Sequence, residues 1–420
     1  MAFNPLTERG IPLERQLRNW SELQLAPYDT RDVHPYTRCR VILMNGIEVE
    51  SIINSHQTAR RTIDIGVKQN LALVRRIEQQ QQKAVNWLIP GDESTIANTI
   101  GYEQVAVDLT GWLARHEPDP YLRQVYEFGL LEDFDHLYRY ANLMDMMGEG
   151  RKAQDITGDL TEMLPGRPTI FEHRHPLDDL RRPMTIQAAN AQSILNALTI
   201  VAAEQQTMNY YMNVGNRPED PLARGLYLEI AQIEEQHVSH YESILDPSVT
   251  WMENLVLHEY NECWLYWSCM ETETDPRIRQ LWELHLAMEL EQLRVAVEMM
   301  KQVDGRDAAE MLPATGFDAA MRFEPNKQYV RDVLARTLEH TAWDSQFLPV
   351  SQLPEGHRYF RYQAAVNGDY VPSEEVIRRH RDELEDEYRF ATDGEHPNES
   401  LRIVGTGEHT EYAQTIESRH

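Results

Sequence analysis

Two side chains that can bind a metal ion lie three residues apart in the stretch PLARGLYLEIAQIEEQHVSHY, residues 221–241. They are Glu234 and His237, and the surrounding sequence is strongly helical. Because positions i and i+3 of a helix point the same way, this carboxylate and this imidazole share one face. The pairing is the metal-binding unit of four-helix bundles that hold two metal ions, in which two helices each contribute Glu-x-x-His and two others a single Glu. Such a site requires four further ligands from the rest of the chain.

An internal repeat identifies those four ligands. A shift of 101 residues superposes Asp119-Pro120 on Asp220-Pro221, and it also superposes the helices that follow. The same shift carries Glu103 onto Glu204. Each copy is a hairpin in which a helix with one Glu is followed, at fixed intervals, by a helix with a carboxylate and then a His. The predicted metal ligands are therefore six side chains: Glu103, Asp133, His136, Glu204, Glu234 and His237.

The chemistry of this ligand set indicates which metals it suits. Four carboxylates and two imidazoles nearly neutralise two divalent cations, and oxygen with imidazole ligation suits iron or manganese better than a thiolate-loving metal. Without a metal or protonation, burying four carboxylates together costs several kcal/mol or raises their pKa values strongly. The sequence predicts a cofactor of two metal ions, with iron as the first choice and manganese as the alternative.

Asp-Pro pairs mark the helices that position these ligands. Aspartate is a favoured N-cap and proline is tolerated at the first helical position, so the pairs at 119, 220 and 275 each predict a helix start. A segment rich in Gly, Pro and charge, 148–183, is too broken for a long helix and is predicted to be a crossover between the two hairpins. The predicted helices span approximately 47–87, 92–115, 119–147, 185–212, 221–245, 250–272, 276–302 and 326–341.

These elements predict an all-α fold in three consecutive regions. Residues 1–46 form an N-terminal arm with one strand at VILM, 41–44. Residues 47–302 form a helical domain: an extra N-terminal helix, a four-helix core with a long crossover at 92–246, and an added hairpin at 250–302. Residues 303–420 form an acidic C-terminal extension, irregular with some β structure at RYFRYQAAV and SLRIVGT, that ends in a polar tail.

The added hairpin is a degraded third copy of the repeat. Glu259 again precedes a carboxylate, Glu289, by the interval found in the other copies, but Gln292 stands where they have His. An amide is a poor ligand for iron or manganese. The sequence therefore predicts a structural hairpin that covers a face of the bundle or builds a subunit interface.

Composition excludes several classes of partner. The chain has 40 Lys and Arg against 68 Asp and Glu, a formal charge of -28, which repels phosphates and anionic lipid. We therefore expect neither a nucleic-acid nor a membrane partner. Nothing in the sequence resembles a signal peptide or a membrane span, so the expected location is cytoplasmic. Cys39, Cys263 and Cys269 have the spacing of neither a metal site nor a disulfide framework and are expected to be buried thiols.

Other residues near the ligands have weaker signals. Tyr126 and Tyr227 each lie seven residues before a predicted ligand carboxylate, on the same helix face. Each could orient a carboxylate of a neighbouring helix through a hydrogen bond, although ordinary helix packing explains them equally well. His173 and His175 form a His-x-His in the crossover, but they lack partners at metal-site spacing and are expected not to bind. No residue is identified as catalytic.

The ligand spacing resembles that of the ferritin-like superfamily of dimetal carboxylate proteins, and IEEQHVSHY, residues 233–241, is similar to the second-helix motif of rubrerythrins. The resemblance covers about residues 92–246. It implies that Glu103 and Glu204 are terminal ligands, that Asp133 and Glu234 bridge the two metals, and that each His holds one. The sequence departs from the family in two respects: Asp133 is one methylene shorter than the usual Glu, and the four-cysteine iron site of rubrerythrins has no counterpart.

The resulting expectation is a di-iron oxidoreductase that reacts with dioxygen or hydrogen peroxide, takes electrons from an external donor and forms a homo-oligomer. Two other functions use the same sequence. An iron-binding or storage protein without an organic substrate would need the same ligands and would load many more than two metals. A structural ferritin-like assembly protein would keep the ligands as relics, although the persistence of both histidines in both complete copies argues against it.

Overall fold

The computed structural model describes residues 3–147, 150–384 and 387–402. Over these ranges the chain forms 14 α-helices, short 3-10 turns and one two-stranded antiparallel sheet, so the predicted all-α class is confirmed. The helices are α1 Trp20–Leu23, α2 Pro35–Arg61, α3 Ile65–Asn86, α4 Thr95–His116, α5 Pro120–Met146, α6 Ala153–Thr157, α7 Ala191–Val214, α8 Pro221–Glu242, α9 Trp251–Thr272, α10 Pro276–Val303, α11 Lys327–Thr337, α12 Arg358–Asn367, α13 Pro372–Leu384 and α14 Arg389–Asp393. The strands are β1 His340–Trp343 and β2 Gln346–Pro349.

Contacts divide the chain into two compact units built from interleaved segments, whereas the sequence predicted three consecutive regions. The first unit comprises Met1–Glu93, Pro183–Gln206 and Leu245–Phe323. The second unit comprises Ser94–Arg182, Thr207–Ile244 and Glu324–His420. Helix α7 therefore contributes its first part to one unit and its last part to the other.

The Asp-Pro helix starts are confirmed at all three positions. In each case the Asp side chain accepts a hydrogen bond from the backbone N–H two residues later, over 2.7 Å for Asp119 and Asp220 and 2.8 Å for Asp275. The proline at the next position loses nothing, because its missing N–H would have no partner within the helix. These caps set where α5, α8 and α10 begin, and with that the depth of the carboxylates Asp133, Glu234 and Glu289 further along each helix.

The N-terminal part of the chain differs from the prediction in two ways. The run Val41–Met44 belongs to α2, not to a strand; its four side chains are fully buried, and a short apolar run does not distinguish a strand from a helix buried on all sides. The single helix expected over 47–87 is two helices. Asp64 accepts from the Val67 backbone N–H at 3.0 Å and starts α3, and Ile63 is 98% exposed in the break.

The C-terminal region contains β structure, as expected, but at a different place. The hairpin of β1 and β2 turns at Asp344, which has a positive φ of 51°. RYFRYQAAV lies in α12 rather than in a strand, with Tyr359 and Gln363 buried at helical spacing. SLRIVGT begins in a 3-10 turn, Glu399–Leu401, and its remainder, like the polar tail, lies outside the described residues.

The core of the second unit is formed by α4, α5, the end of α7 and α8, with α11 and α13 from the C-terminal region packed against it. The C-terminal extension is thus part of this core rather than an appendage. Buried aromatic rings fill the space between the helices, and Tyr140 lies 4.9 Å from Tyr227 and 5.3 Å from Tyr211 between ring centroids. Burial of each such side chain contributes about 1.5–3 kcal/mol, which holds the helix faces that carry the predicted ligands together.

Two expectations from composition can be compared with the structure. None of the described helices is both long and apolar enough to cross a membrane. Cys39, Cys263 and Cys269 are buried free thiols, as predicted.

Candidate metal centre

Five of the six predicted ligands come together inside the second unit. Helix α4 contributes Glu103, α5 contributes Asp133 and His136, and α8 contributes Glu234 and His237. Each of the five is at most 1% exposed. Potential ligand atoms of Glu103, His136 and Glu234 all lie within 4.8 Å of one another. The repeat therefore predicted correctly which side chains meet, and their role as metal ligands remains a prediction.

Glu234 lies between the two imidazoles. Its Oε1 is 2.9 Å from Nδ1 of His136, and its Oε2 is 3.3 Å from Nδ1 of His237. Nδ1 of His237 is also 3.3 Å from Oδ1 of Asp133. The two rings stack with centroids 5.5 Å apart. Both histidines thus turn the same ring atom, Nδ1, toward a shared carboxylate.

An outer carboxylate binds the opposite side of each ring. Nε2 of His136 is 2.9 Å from Glu172, and Nε2 of His237 is 2.9 Å from Glu132. In metal sites a carboxylate at the far ring nitrogen fixes the tautomer and orientation of the histidine and makes it a stronger ligand. Each imidazole therefore has an inner carboxylate at Nδ1 and an outer carboxylate at Nε2.

Two buried arginines hold Glu132 in place. Arg167 and Arg174 both donate to its Oε1, and Arg174 also donates to Asp179 at 2.9 Å. Their guanidinium groups lower the pKa of Glu132 far below its usual range, outweighing the effect of burial, which alone would raise it. The two arginines therefore favour the anionic form of Glu132.

The crossover is positioned by α8 itself. Gln236 donates to the backbone carbonyl of Glu172 at 2.7 Å and accepts from the backbone N–H of Arg174 at 3.2 Å. One side chain of the ligand helix thereby anchors the turn that supplies both the outer carboxylate for His136 and an arginine for Glu132. The segment that seemed a mere connection is part of the centre.

Burial and close charges perturb the protonation of the inner groups. Burial raises the pKa of Glu103 well above its usual range and that of Asp133 to about 6. For Glu234 burial acts in the same direction, but the neighbouring imidazoles outweigh it and lower the pKa to about 2. Burial would lower the pKa of His136, yet Glu172 and Glu234 raise it well above the usual value. Without a cation the centre holds protons, which a metal ion would have to displace.

Tyr211 of α7 makes the kind of contact that was considered for Tyr126 and Tyr227. Its hydroxyl donates to Oε1 of Glu103, and Thr110 donates to Oδ2 of Asp133 at 3.0 Å. The hydroxyl of Tyr227 lies 2.6 Å from that of Thr99 instead. The ring of Tyr126 packs 5.9 Å from that of Tyr241, between centroids, and its hydroxyl makes no hydrogen bond to a described residue.

The donor atoms fit a metal ion of the predicted kind. Oε2 of Glu103 is buried in the cluster and receives no hydrogen bond from any described residue, which leaves it suited to a cation. Imidazole nitrogen with carboxylate oxygen is the ligand chemistry of iron and manganese sites. The sixth predicted ligand, Glu204, is buried on the part of α7 that belongs to the first unit, and its participation stays a prediction.

Among the described residues, neither crossover histidine belongs to a cluster of potential metal ligands. His173 lies 3.0 Å from Glu229 and 2.6 Å from the amide oxygen of Asn367, whereas His175 accepts from the backbone N–H of Leu177. His173 and Glu229 instead line a cleft of about 630 Å³ between α8, α12 and the segment that leads into α13. The cleft reaches α8 at residues 232, 233, 235 and 236, which flank the ligands Glu234 and His237.

Sequence reasoning missed the outer residues of the centre. Glu132 is adjacent to Asp133, but a helix rotates by about 100° per residue, so helical spacing places it on another face than the predicted ligands. That rotation instead carries it to His237 of the neighbouring helix. Glu172, Arg167 and Arg174 lie in an irregular segment where spacing has no meaning. The available signal was the density of paired charges in FEHRHPLDDLRRP, since charges that are buried must find partners.

Comparison with protein-family models finds no match for this sequence, and comparisons with curated proteins and with solved structures find no significant match.

Proposed function

We propose that this chain is a ferritin-like dimetal carboxylate protein, with iron as the metal and manganese as the alternative, that acts as an oxidoreductase on dioxygen or hydrogen peroxide. The observation that carries the proposal is the paired histidine geometry. Two imidazoles turn Nδ1 toward one carboxylate, Glu234, while separate buried carboxylates hold each Nε2.

Structural packing alone does not explain this arrangement. Burying several carboxylates and two imidazoles costs free energy that apolar residues of similar size would avoid. Duplicated spacing at polar positions supports selection for chemistry, since packing constrains apolar positions instead. The centre also has second-sphere carboxylates in addition to its inner ligands, which supports a tuned metal site over a relic.

The residues of the centre would have separate roles in this reaction. Glu103, Asp133, His136, Glu234, His237 and, by prediction, Glu204 would hold the metals. A bound iron pair would supply electrons to the oxidant and open positions at which it binds. Glu132 and Glu172 would keep the imidazoles oriented, and the buried aromatic core would exclude water. Reduction of one peroxide to two waters takes two electrons and two protons, and the electrons would come from an external donor.

Metal analysis of the purified protein tests the proposal directly. Protein reconstituted anaerobically with Fe²⁺ is expected to hold about two tightly bound ions per chain in this centre, as in other dimetal bundles. Stoichiometric peroxide should then change the optical spectrum in a single turnover and yield water. Less than a tenth of an equivalent after iron loading would refute the proposal. Tens of irons per chain would instead favour storage, and two irons without an oxidant-dependent change would favour a relic site.

The tyrosine that orients Glu103 provides a mutational prediction. Tyr211→Phe removes one donor to that carboxylate and leaves the ring packing unchanged. Metal affinity is expected to fall about tenfold, the lower end of the range for outer-sphere partners. The matched control is Tyr210→Phe, because that neighbouring hydroxyl accepts from Asn98 and donates to the Thr95 carbonyl. Equal Fe²⁺ or Mn²⁺ affinity of the two variants, measured by competition with a chelator, would contradict the assignment.

A further inference from the structure

The first unit contains another two copies of the hairpin repeat. Glu48 on α2 is followed by Glu78 and Gln81 on α3 at the intervals of the other copies, and Asp64 caps α3 at the usual distance before the carboxylate. The hairpin of α9 and α10 repeats this pattern with Glu259, Glu289 and Gln292, capped at Asp275. Helix α2 packs against α3 and α9, and α10 packs against α9 and α3. These helices form a four-helix arrangement within the first unit, so α9 and α10 have partners of their own.

Individual contacts of the candidate metal centre recur here. One and the same shift along the chain carries Glu48 onto Glu103 and Tyr211 onto Tyr266. Tyr266 donates to Glu48, as Tyr211 does to Glu103.

The carboxylate that corresponds to Glu234 is also surrounded in the same way. Glu289 Oε1 accepts hydrogen bonds from Gln81 and from Gln292, the latter over 3.2 Å. These two amides stand where the two histidines contact Glu234. The interior of the first unit therefore has amides where the metal centre has imidazoles, and both amides contact the same oxygen of Glu289, whereas the imidazoles contact different oxygens of Glu234.

This interior contains one carboxylate more than the repeat requires. Glu262, one helical turn after Glu259, has a counterpart in none of the other copies, where Ser51, Ala106 and Thr207 occupy that position. Oxygens of Glu262, Glu259 and Glu78 lie within 4.8 Å of one another. The chain has thus exchanged two imidazoles for two amides and one further carboxylate.

Several oxygens in this cluster have no hydrogen-bond donor. Glu262 is 2% exposed, and apart from a hydrogen bond shared with the carboxyl group of Glu289, neither of its oxygens has a partner among the described residues. One further oxygen each lacks a donor in five buried side chains: Glu48, Glu78, Glu259, Glu289 and Gln292. A buried polar group without a partner costs about 1–3 kcal/mol, and a charged one costs more. A ligand that supplies positive charge at this point would satisfy them together.

Among the described residues, Arg18 interacts electrostatically with Glu48 and Arg75 with Glu78, but neither arginine forms an ion pair with a carboxylate of the cluster. Arg18 donates to His285 at 3.1 Å, with Tyr266 between His285 and the nearest carboxylate, and Arg75 contacts Ser55. The five carboxylates therefore lack a buried arginine partner of the kind that Glu132 has in the second unit.

We propose that the carboxylates Glu48, Glu78, Glu259, Glu262 and Glu289 form a second metal site, specific for a hard divalent cation. Carboxylate and amide oxygens are the ligands that Mg²⁺, Ca²⁺ and Mn²⁺ prefer, whereas the loss of both imidazoles weakens the site for iron. The cation is structural, because an enclosed all-oxygen site without imidazole holds a metal firmly and offers it no redox tuning. The protein then combines a redox-active bundle with a cation-stabilised one built on the same repeat.

Mn²⁺ binding to the full-length protein tests this site separately from the first. The experiment uses the Glu234→Ala background, in which the candidate metal centre is disabled. That protein is expected to bind about one equivalent of Mn²⁺, with a rise in melting temperature. Adding Glu262→Gln should weaken binding at least tenfold and abolish the rise, while Glu271→Gln, an exposed position on the same helix, should change neither.

A second experiment tests the site in case the Glu234→Ala protein does not fold. In the otherwise wild-type chain, Glu262→Gln should lower saturating Mn²⁺ by about one equivalent and leave the peroxide-dependent spectrum of the iron-loaded protein unchanged. The proposal is overturned if the Glu234→Ala protein folds yet binds no Mn²⁺, Ca²⁺ or Mg²⁺ at millimolar concentration. It is also overturned if Glu262→Gln binds as tightly as the Glu271→Gln control.

Discussion

Glu234→Ala is expected to abolish metal binding at the candidate metal centre. Its two oxygens contact Nδ1 of His136 and Nδ1 of His237, so this one carboxylate links both histidines of the centre. Loss of an outer-sphere partner typically costs 10- to 100-fold in affinity, and loss of a shared inner ligand is expected to cost more than about 100-fold. Iron content by elemental analysis after anaerobic loading and gel filtration measures the effect.

The matched control is the adjacent residue on the same helix. Glu235 is exposed, so Glu235→Ala changes the same residue type without entering the centre. It should retain the full iron content and the peroxide-dependent spectrum. Circular dichroism establishes that both variants are folded. A folded Glu234→Ala protein that still carried wild-type iron in the second unit would contradict the assignment of this centre.

Glu132→Ala is expected to cause the largest loss of stability. The substitution leaves the guanidinium groups of Arg167 and Arg174 and Nε2 of His237 buried without their shared anion. Breaking a buried ion pair by removing one partner costs about 3–5 kcal/mol, because the remaining charge is uncompensated. Urea unfolding of the metal-free protein, followed by circular dichroism, gives the change in free energy.

Two further variants test this explanation. Gln124→Ala, an exposed position on the same helix, should change stability by no more than about 0.5 kcal/mol. Combining Glu132→Ala with Arg174→Met removes one of the stranded charges, so the double variant should be less destabilised than the sum of the single changes. Additive effects, or a loss under about 1 kcal/mol for Glu132→Ala alone, would show that the network does not act as a unit.

The inner ligands of the centre could be predicted because the repeat is a regular spacing along the chain. The same spacing from Asp119 to Asp133 and from Asp220 to Glu234 sets the depth of each ligand below its helix start, and the structure confirms both starts. The hairpin formed by α2 and α3 was not recognised as a copy of the repeat, for a physical reason. Asp64 lacks the following proline, and the apolar stripe continues through the break, so two helices resembled one.

The outer part of the centre could not be predicted by such spacing. Glu132 reaches His237 across 105 residues, and Glu172 reaches His136 from an irregular segment. Those distances depend on how two helices and the crossover pack in three dimensions. Helical periodicity identifies the residues on one face of one helix. It does not predict which other segment a side chain on another face will contact.

The sequence by itself determined the helical class, the three Asp-Pro helix starts and the side chains that form the inner cluster, because capping and the helical repeat act over a few residues along the chain. Only the tertiary structure decided the tyrosine that orients Glu103, the carboxylates behind each imidazole, and the existence of a second carboxylate interior in the first unit. The reason is that burial, not spacing along the chain, requires these groups to have partners. A charge in water needs no partner, and the same charge in a packed core must have one.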